Sequence, residues 1–131
     1  MVLIKQLINN GIRPTKQRAI LAKLLFEKGD RHISAEELYD EVKKEDRKIS
    51  LATIYNTLKQ FRNLGLLKEL VIDQNKSIYC TNHDSHYHLY IEDQGKIIDI
   101  PQKNIDSFLS GIHKWIMYGL ILFLVYLLQT S

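Results

Sequence analysis

The sequence has very little cysteine. Cys80 is the single cysteine among 131 residues, which excludes an intrachain disulfide and a zinc site built from several thiolates. The amino-terminal stretch, MVLIKQLINNG, is too short and too polar for a signal peptide. The chain also contains no internal repeat and no low-complexity tract. The single cysteine favours a protein of the reducing cytoplasm.

Hydrophobic residues make up 45% of the chain, enough to bury the core of one ordinary domain or of two very small ones. Charge is distributed unevenly, with 15 basic against 10 acidic side chains in residues 1–80 and 3 against 5 in residues 81–131. The basic excess in the amino-terminal part would attract phosphate groups.

Apolar residues in the first 70 positions recur at helical spacing between glycine stop signals. We predict helices over residues 3–9, from about Thr15 to Lys28, from the capping box SAEE at Ser34 to about Glu45, and after a Ser50 cap from about Leu51 to Asn63. The runs LLKELVI and KSIYCT then predict a β-hairpin with its turn at Asp73 to Asn75. Helices followed by a hairpin predict a winged helix.

The second part of the chain predicts two more strands, HYHLYIE and KIIDI, around DQG, and then a helix, QKNIDSFLSGIHK. His86 and His88 are two apart on a strand, so both imidazoles point to one side and can reach one ion. Asp99 follows on the returning strand and can face them. Imidazole and carboxylate suit iron(II), manganese(II) or zinc(II) better than copper(I). A lone H-x-H is more often surface polarity, so spacing alone leaves the choice open.

Four motifs occur in order: GIRPTKQRAIL, HISAEELYDEV, ISLATIYNTLKQFRNLGLL and HYHLYIEDQGKIIDI. Over about residues 9–100 the chain resembles the Fur family of metal-responsive bacterial transcription regulators. Within that family it is most similar to the Irr branch, the iron-response regulators that sense iron through heme. Asn56 after Tyr55 favours this branch, as does the absence of the paired structural-zinc cysteines, at whose positions stand Ile91 and Gln94.

The resemblance implies an α+β fold with a winged helix-turn-helix DNA-binding domain over residues 1–82 and a small, truncated α/β dimerization and metal-sensing domain over 83–114. A helix of about 20 Å is long enough to lie in the major groove, and the resemblance places Tyr55 on it as a base reader. The expected DNA-binding residues are Arg13, Lys16, Arg18, Thr53, Tyr55, Asn56 and Lys59. Charge pattern alone leaves open that this helix only packs, with its polar face solvated.

The resemblance also implies that His32 completes the metal site of His86, His88 and Asp99 from the other side of a hinge. Cys80 stands where the family supplies an acidic ligand, and it can donate a thiolate or be an ordinary strand residue. Tyr87 stands where a ligating Asp or His is expected, so the second metal site of the family is incomplete here. The expected cofactor is iron, manganese or zinc, with heme as an alternative.

The implied function is repression of iron or heme homeostasis genes by a cytoplasmic homodimer on a double-stranded DNA operator. Peroxide sensing through bound iron is an alternative within the same family. An enzyme is a third hypothesis, because two histidines and a carboxylate can hold catalytic iron. It is disfavoured, since no second constellation for a substrate appears and the basic helical half would be unexplained.

The carboxyl end departs from the family. Residues 115–131, WIMYGLILFLVYLLQTS, include no charged side chain and lie at the short end of the roughly 17 to 25 residues that span a membrane. A membrane tail is one interpretation, and an altered or truncated reading frame is the favoured one. We predict that this tail is helical if ordered and that the dimer interface is incomplete.

Overall fold

The computed structural model describes residues 2–130. Met1, which begins the predicted range 1–82, and Ser131, which ends the predicted range 115–131, lie outside the described residues. The chain divides into two units, one extending to His83 and the other beginning at Asp84. Each unit has its own β-sheet, with three strands in the first and two in the second among the described residues. The α+β fold class is confirmed.

The first unit carries the predicted run of helices and the hairpin. Its elements are α1 (Val2–Asn9), α2 (Lys16–Phe26), β1 (His32–Ile33), α3 (Ala35–Lys44), α4 (Leu51–Asn63), β2 (Lys68–Asp73) and β3 (Lys76–Cys80). The predicted capping box begins α3: Glu37 N–H donates to Ser34 Oγ at 3.2 Å, and Ser34 N–H donates to the Glu37 carboxylate at 2.8 Å. Ser50 caps α4 by accepting from Thr53 N–H at 3.2 Å. Both predicted starts are confirmed, because these side chains satisfy N–H groups that a first turn leaves unbonded.

One apolar core holds the first unit together. The helices α2, α3 and α4 each contribute side chains with 0% exposure, among them Leu25, Leu38, Ile54, Leu58 and Phe61. Three of these lie on α4, so burial of that stripe fixes the rotation of the helix. Asn56, Lys59 and Gln60 on the same helix are consequently turned to the surface, whereas Thr57 is buried and donates to the Thr53 carbonyl at 2.8 Å.

The three-stranded sheet places β3 between β1 and β2, with both pairings antiparallel. The β2–β3 hairpin and its turn are confirmed, and Asn75 N–H donates to the Asp73 carboxylate at 2.8 Å inside that turn. Strand β1 was not predicted. It is two residues long and pairs His32 directly with Cys80.

The second unit begins with an antiparallel hairpin of β4 (His86–Ile91) and β5 (Lys96–Pro101). A short 3-10 turn over Glu92–Gln94 joins them, and Gly95 ends it in the left-handed region at φ 59°. In this register His88 lies directly opposite Asp99. The two predicted strands are confirmed.

The last element is α5 (Gln102–Thr130), a helix of 29 residues. We predicted a helix ending near Lys114 and a separate apolar tail, but no proline follows Pro101 and Gly111 and Gly119 remain helical, so the helix continues. The prediction of a helical tail is confirmed. None of its described residues is buried, and by length and composition alone it could cross a membrane.

Candidate metal centre and nucleic-acid interface

Three side chains converge on one face of the β4–β5 hairpin. The Nε2 atoms of His86 and His88 are 2.8 Å apart, and Asp99 Oδ1 lies 3.4 Å from the first and 3.5 Å from the second. Two ligands that bind an ion at right angles from about 2.1 Å lie roughly 3 Å apart. The three donor atoms therefore already have nearly the spacing that a bound divalent ion requires.

The tautomer of His86 suits this role. Its Nδ1 lies 2.5 Å from the carbonyl oxygen of Asp84. A carbonyl oxygen can only accept, so Nδ1 is the donor in this contact, which in the neutral ring leaves the lone pair on Nε2. A backbone carbonyl in this position is a common way of orienting a metal-binding imidazole.

In the first unit His32 and Cys80 form a second pair of candidate donors. They are direct partners across β1 and β3, so their side chains share one face of the sheet. A ring nitrogen of His32 and the Cys80 sulfur lie within 4.8 Å of each other. His32 is half-buried and Cys80 is buried. The predicted ligands thus belong to two groups, one in each unit, and Cys80 stands beside His32.

Tyr87 cannot complete a second site with the histidines on either side of it. Side chains alternate along a strand, so Tyr87 projects from the opposite face of β4 to His86 and His88. Its side chain is exposed there.

The predicted DNA-binding residues lie on α2, α4 and the segment just before α2. Arg18, Thr53, Asn56 and Lys59 line one groove of about 510 Å³ between the start of α2 and α4, and no acidic side chain lines it. A neighbouring groove of about 300 Å³ is lined by both Arg13 and Arg18. Such cation-lined, acid-free grooves can accept the phosphates of a nucleic acid.

Tyr55 lies on α4 outside these grooves and is 42% exposed. Its hydroxyl donates a hydrogen bond to the Glu36 carboxylate in the first turn of α3. This hydrogen bond raises the pKa of Tyr55, with smaller contributions from burial and from the charge of Glu36. Sequence reasoning missed Glu36, because nothing local links positions 19 residues apart.

A salt-bridge cluster fixes the chain next to His32. The Arg31 guanidinium donates to both carboxylate oxygens of Glu41 on α3, at 2.6 and 3.2 Å, and Lys28 adds a third bond at 3.0 Å. The Arg31 hydrogen bond is the largest cause that lowers the pKa of Glu41. Arg31 N–H also donates to Thr81 Oγ1 at 2.9 Å, and Thr81 N–H to the Arg31 carbonyl at 3.1 Å. Because Arg31 precedes His32 and Thr81 follows Cys80, the cluster holds both candidate donors in place.

Comparison with known proteins gives a consistent assignment. The sequence profile of the Ferric uptake regulator family matches residues 9–118. The peroxide-responsive repressor PerR of Staphylococcus saprophyticus is 37% identical over 104 residues, which cover 79% of this chain and 70% of that protein. The ferric uptake regulator of Pseudomonas aeruginosa with manganese superposes with a TM-score of 0.72 at 26% identity, covering 86% of this chain and 84% of that one. The Campylobacter jejuni peroxide stress regulator has a TM-score of 0.58 at 29% identity, covering 90% and 83%.

These relatives correct three expectations. The similarity to the Irr branch is not supported, because the relatives are peroxide-responsive repressors and ferric uptake regulators. Heme was expected as a cofactor because of the similarity to the Irr branch, so heme binding is not supported either. Membrane association of the tail rests on the length and composition of α5 alone and is not supported by the relatives.

Proposed function

Because the chain belongs to the Ferric uptake regulator family, whose members regulate transcription and are not enzymes, we propose that it represses iron homeostasis genes in response to a divalent metal ion. One observation supports metal binding: two imidazole nitrogens and a carboxylate oxygen converge within 2.8 to 3.5 Å of one another. Imidazole and carboxylate together favour iron(II), manganese(II) or zinc(II).

His32 is proposed as the fourth ligand. It comes from the first unit, whereas His86, His88 and Asp99 come from the second. An ion held by all four would bind one arrangement of the two units better than others, and it would raise the population of that arrangement. The cluster of Arg31 and Glu41 supports this role, because it fixes the backbone immediately before His32. Coordination by Cys80 as a thiolate would shift the preference toward zinc, whereas as an ordinary strand residue Cys80 would leave the ion to the other four side chains.

Operator binding is proposed for α4 and the start of α2. The acid-free groove lined by Arg18 and Lys59 would receive backbone phosphates, and the exposed face of α4 would lie in the major groove. A homodimer and the cytoplasm are expected from the family, and both remain proposals for this chain.

A second candidate is a response to peroxide. Two features favour it: the 37% identity to a peroxide-responsive repressor, and the two imidazoles beside the proposed ion. With iron bound, one oxygen atom of hydrogen peroxide would be transferred to a ligating imidazole and the other would leave as water. Peptide mass spectrometry of peroxide-treated, iron-loaded protein would then find one added oxygen on a ligand histidine. Unmodified histidines together with a response to iron would favour the iron-homeostasis function.

The metal site is tested with His88→Ala. We expect protein purified without chelator to contain one ion per chain, and the variant to lose most of it, because two of the three convergent contacts involve His88. His113→Ala is the matched control, since it removes a histidine from an exposed position on α5. Elemental analysis followed by DNA binding with and without the metal gives the readout. Equal metal content in the parent and His88→Ala proteins would refute the site.

A further inference from the structure

The contact between Tyr55 and Glu36 concerns the surface proposed to read DNA. Two acidic residues begin α3, and they have different roles. Glu37 completes the capping box with Ser34, so its carboxylate is committed to the helix start. Glu36 instead accepts the hydroxyl proton of Tyr55 from the neighbouring helix α4. Glu36 is therefore not part of the capping box, and its carboxylate accepts the hydrogen bond from Tyr55 instead.

A carboxylate on this surface works against general DNA affinity, because it repels phosphates. It does have a use in reading bases. Among the groups in the major groove, a carboxylate can pair only with donors, which are the amino groups of cytosine and adenine. The Glu36 carboxylate would therefore lower the affinity for every DNA sequence but lower it least for sequences with adenine or cytosine at the contacted position, and so it would raise specificity.

The same hydrogen bond restricts Tyr55. A phenol can donate one hydrogen bond and accept others. Since the proton of Tyr55 is directed to Glu36, only the lone pairs of its oxygen are available to a base. The raised pKa of Tyr55 agrees with a phenol that keeps this proton. Tyr55 and Glu36 together thus offer acceptors alone.

We propose that Glu36 is a specificity-determining residue that positions Tyr55, so that the pair accepts a hydrogen bond from an adenine or cytosine amino group. At this edge guanine presents the acceptors O6 and N7, and thymine presents the acceptor O4. These atoms would repel the oxygen lone pairs of Tyr55 and Glu36. The inference rests on the proposed entry of α4 into the major groove.

The test compares Glu36→Gln with Asp40→Asn. Asp40 is exposed one turn further along α3, so each variant removes one negative charge from the same helix. An operator is first selected with the parent protein from a randomised duplex library. Binding is then measured to that operator and to every single-base substitution of it, and Tyr55→Phe serves as a second probe of the hydroxyl.

We expect the parent to prefer adenine or cytosine at one position by roughly three- to tenfold, the size of one hydrogen bond. Glu36→Gln should lose this preference, because its amide can donate to the Tyr55 oxygen and release the hydroxyl proton toward guanine or thymine. Tyr55→Phe should lose it too, and Asp40→Asn should keep it while binding all sequences more tightly.

Two results would overturn the inference, and they differ in what else they refute. Identical base preferences in Glu36→Gln and Asp40→Asn, at every operator position, would show that Glu36 has no part in reading and would leave DNA binding intact. A library from which the parent enriches no sequence would refute the proposed operator binding together with the role of Glu36.

Discussion

Replacing Glu41 by glutamine should weaken the first unit next to His32. The carboxylate accepts two bonds from Arg31 and one from Lys28, and the Arg31 and Glu41 side chains are only 19% and 23% exposed. Fully exposed ion pairs contribute about 0 to 1 kcal/mol, and breaking a buried pair costs about 3 to 5 kcal/mol. For this half-buried, bidentate pair we expect the free energy of local opening to fall by about 1 to 2 kcal/mol.

Amide hydrogen exchange measures this locally. Thr81 N–H donates to the Arg31 carbonyl, so its exchange reports the opening of the chain between β1 and β3. A loss of this size would accelerate exchange roughly 5- to 30-fold. Glu27→Gln is the matched control, because the Lys23–Glu27 pair is 4.0 Å apart and its side chains are 71% and 54% exposed. That variant should change exchange by less than about twofold.

The effect should depend on pH with a definite sign. Arg31 holds the pKa of Glu41 below its ordinary value of 4.5, so the ion pair stabilises the fold above that pH. The stabilisation is lost as the pH falls through the lowered pKa of the folded state. The variant-to-parent ratio of exchange rates, compared at the same pH, should therefore be largest near neutrality and approach one in acid. A ratio near one at about pH 7, or one unchanged in acid, would refute the assigned role of Glu41.

Two further predictions follow from the surface and the tail. Tyr55→Ala should weaken operator binding by about 1 to 3 kcal/mol. Lys16→Ala or Arg18→Ala should instead weaken binding to all duplexes and make that binding less dependent on salt. Salt titrations with the operator and with an unrelated duplex would measure both effects. Operator affinity unchanged by Tyr55→Ala would exclude α4 as the reading helix. Deleting residues 115–131 should raise solubility, because apolar side chains from Trp115 to Leu128 are exposed, and should leave DNA binding by the first unit intact. Loss of the fold on deletion would show that this segment is core.

Structural features that depend on residues close together in the sequence could be predicted. The starts of α3 and α4 follow from Ser34 and Ser50, whose hydroxyls reach N–H groups three positions ahead. The partnership of His88 with Asp99 follows in the same way, because a short turn joins the two strands and leaves little choice of register. The half of the candidate metal site on the second unit could therefore be predicted from the sequence.

Contacts between distant residues could not be predicted in this way. Strand β1 has two residues, too few for any periodicity, and it exists because β3 pairs with it 48 positions later. The proximity of His32 and Cys80 depends on that pairing, so sequence spacing left the role of Cys80 open. The end of α5 was misjudged for another reason: a change from mixed to apolar composition does not end a helix unless a stop signal accompanies it.

Helix α3 allows the two glutamate variants to be compared with each other. Glu41 meets Arg31, the residue before His32, and Glu36 meets Tyr55, and these positions are about 7.5 Å apart along one helix. Independent contacts predict separate effects: Glu41→Gln should lower metal affinity and keep base preference, and Glu36→Gln should do the reverse. If each variant instead changed both properties, a movement of α3 as one body would be the physical link between the proposed metal site and the proposed operator surface, because this helix contacts both Arg31 and Tyr55.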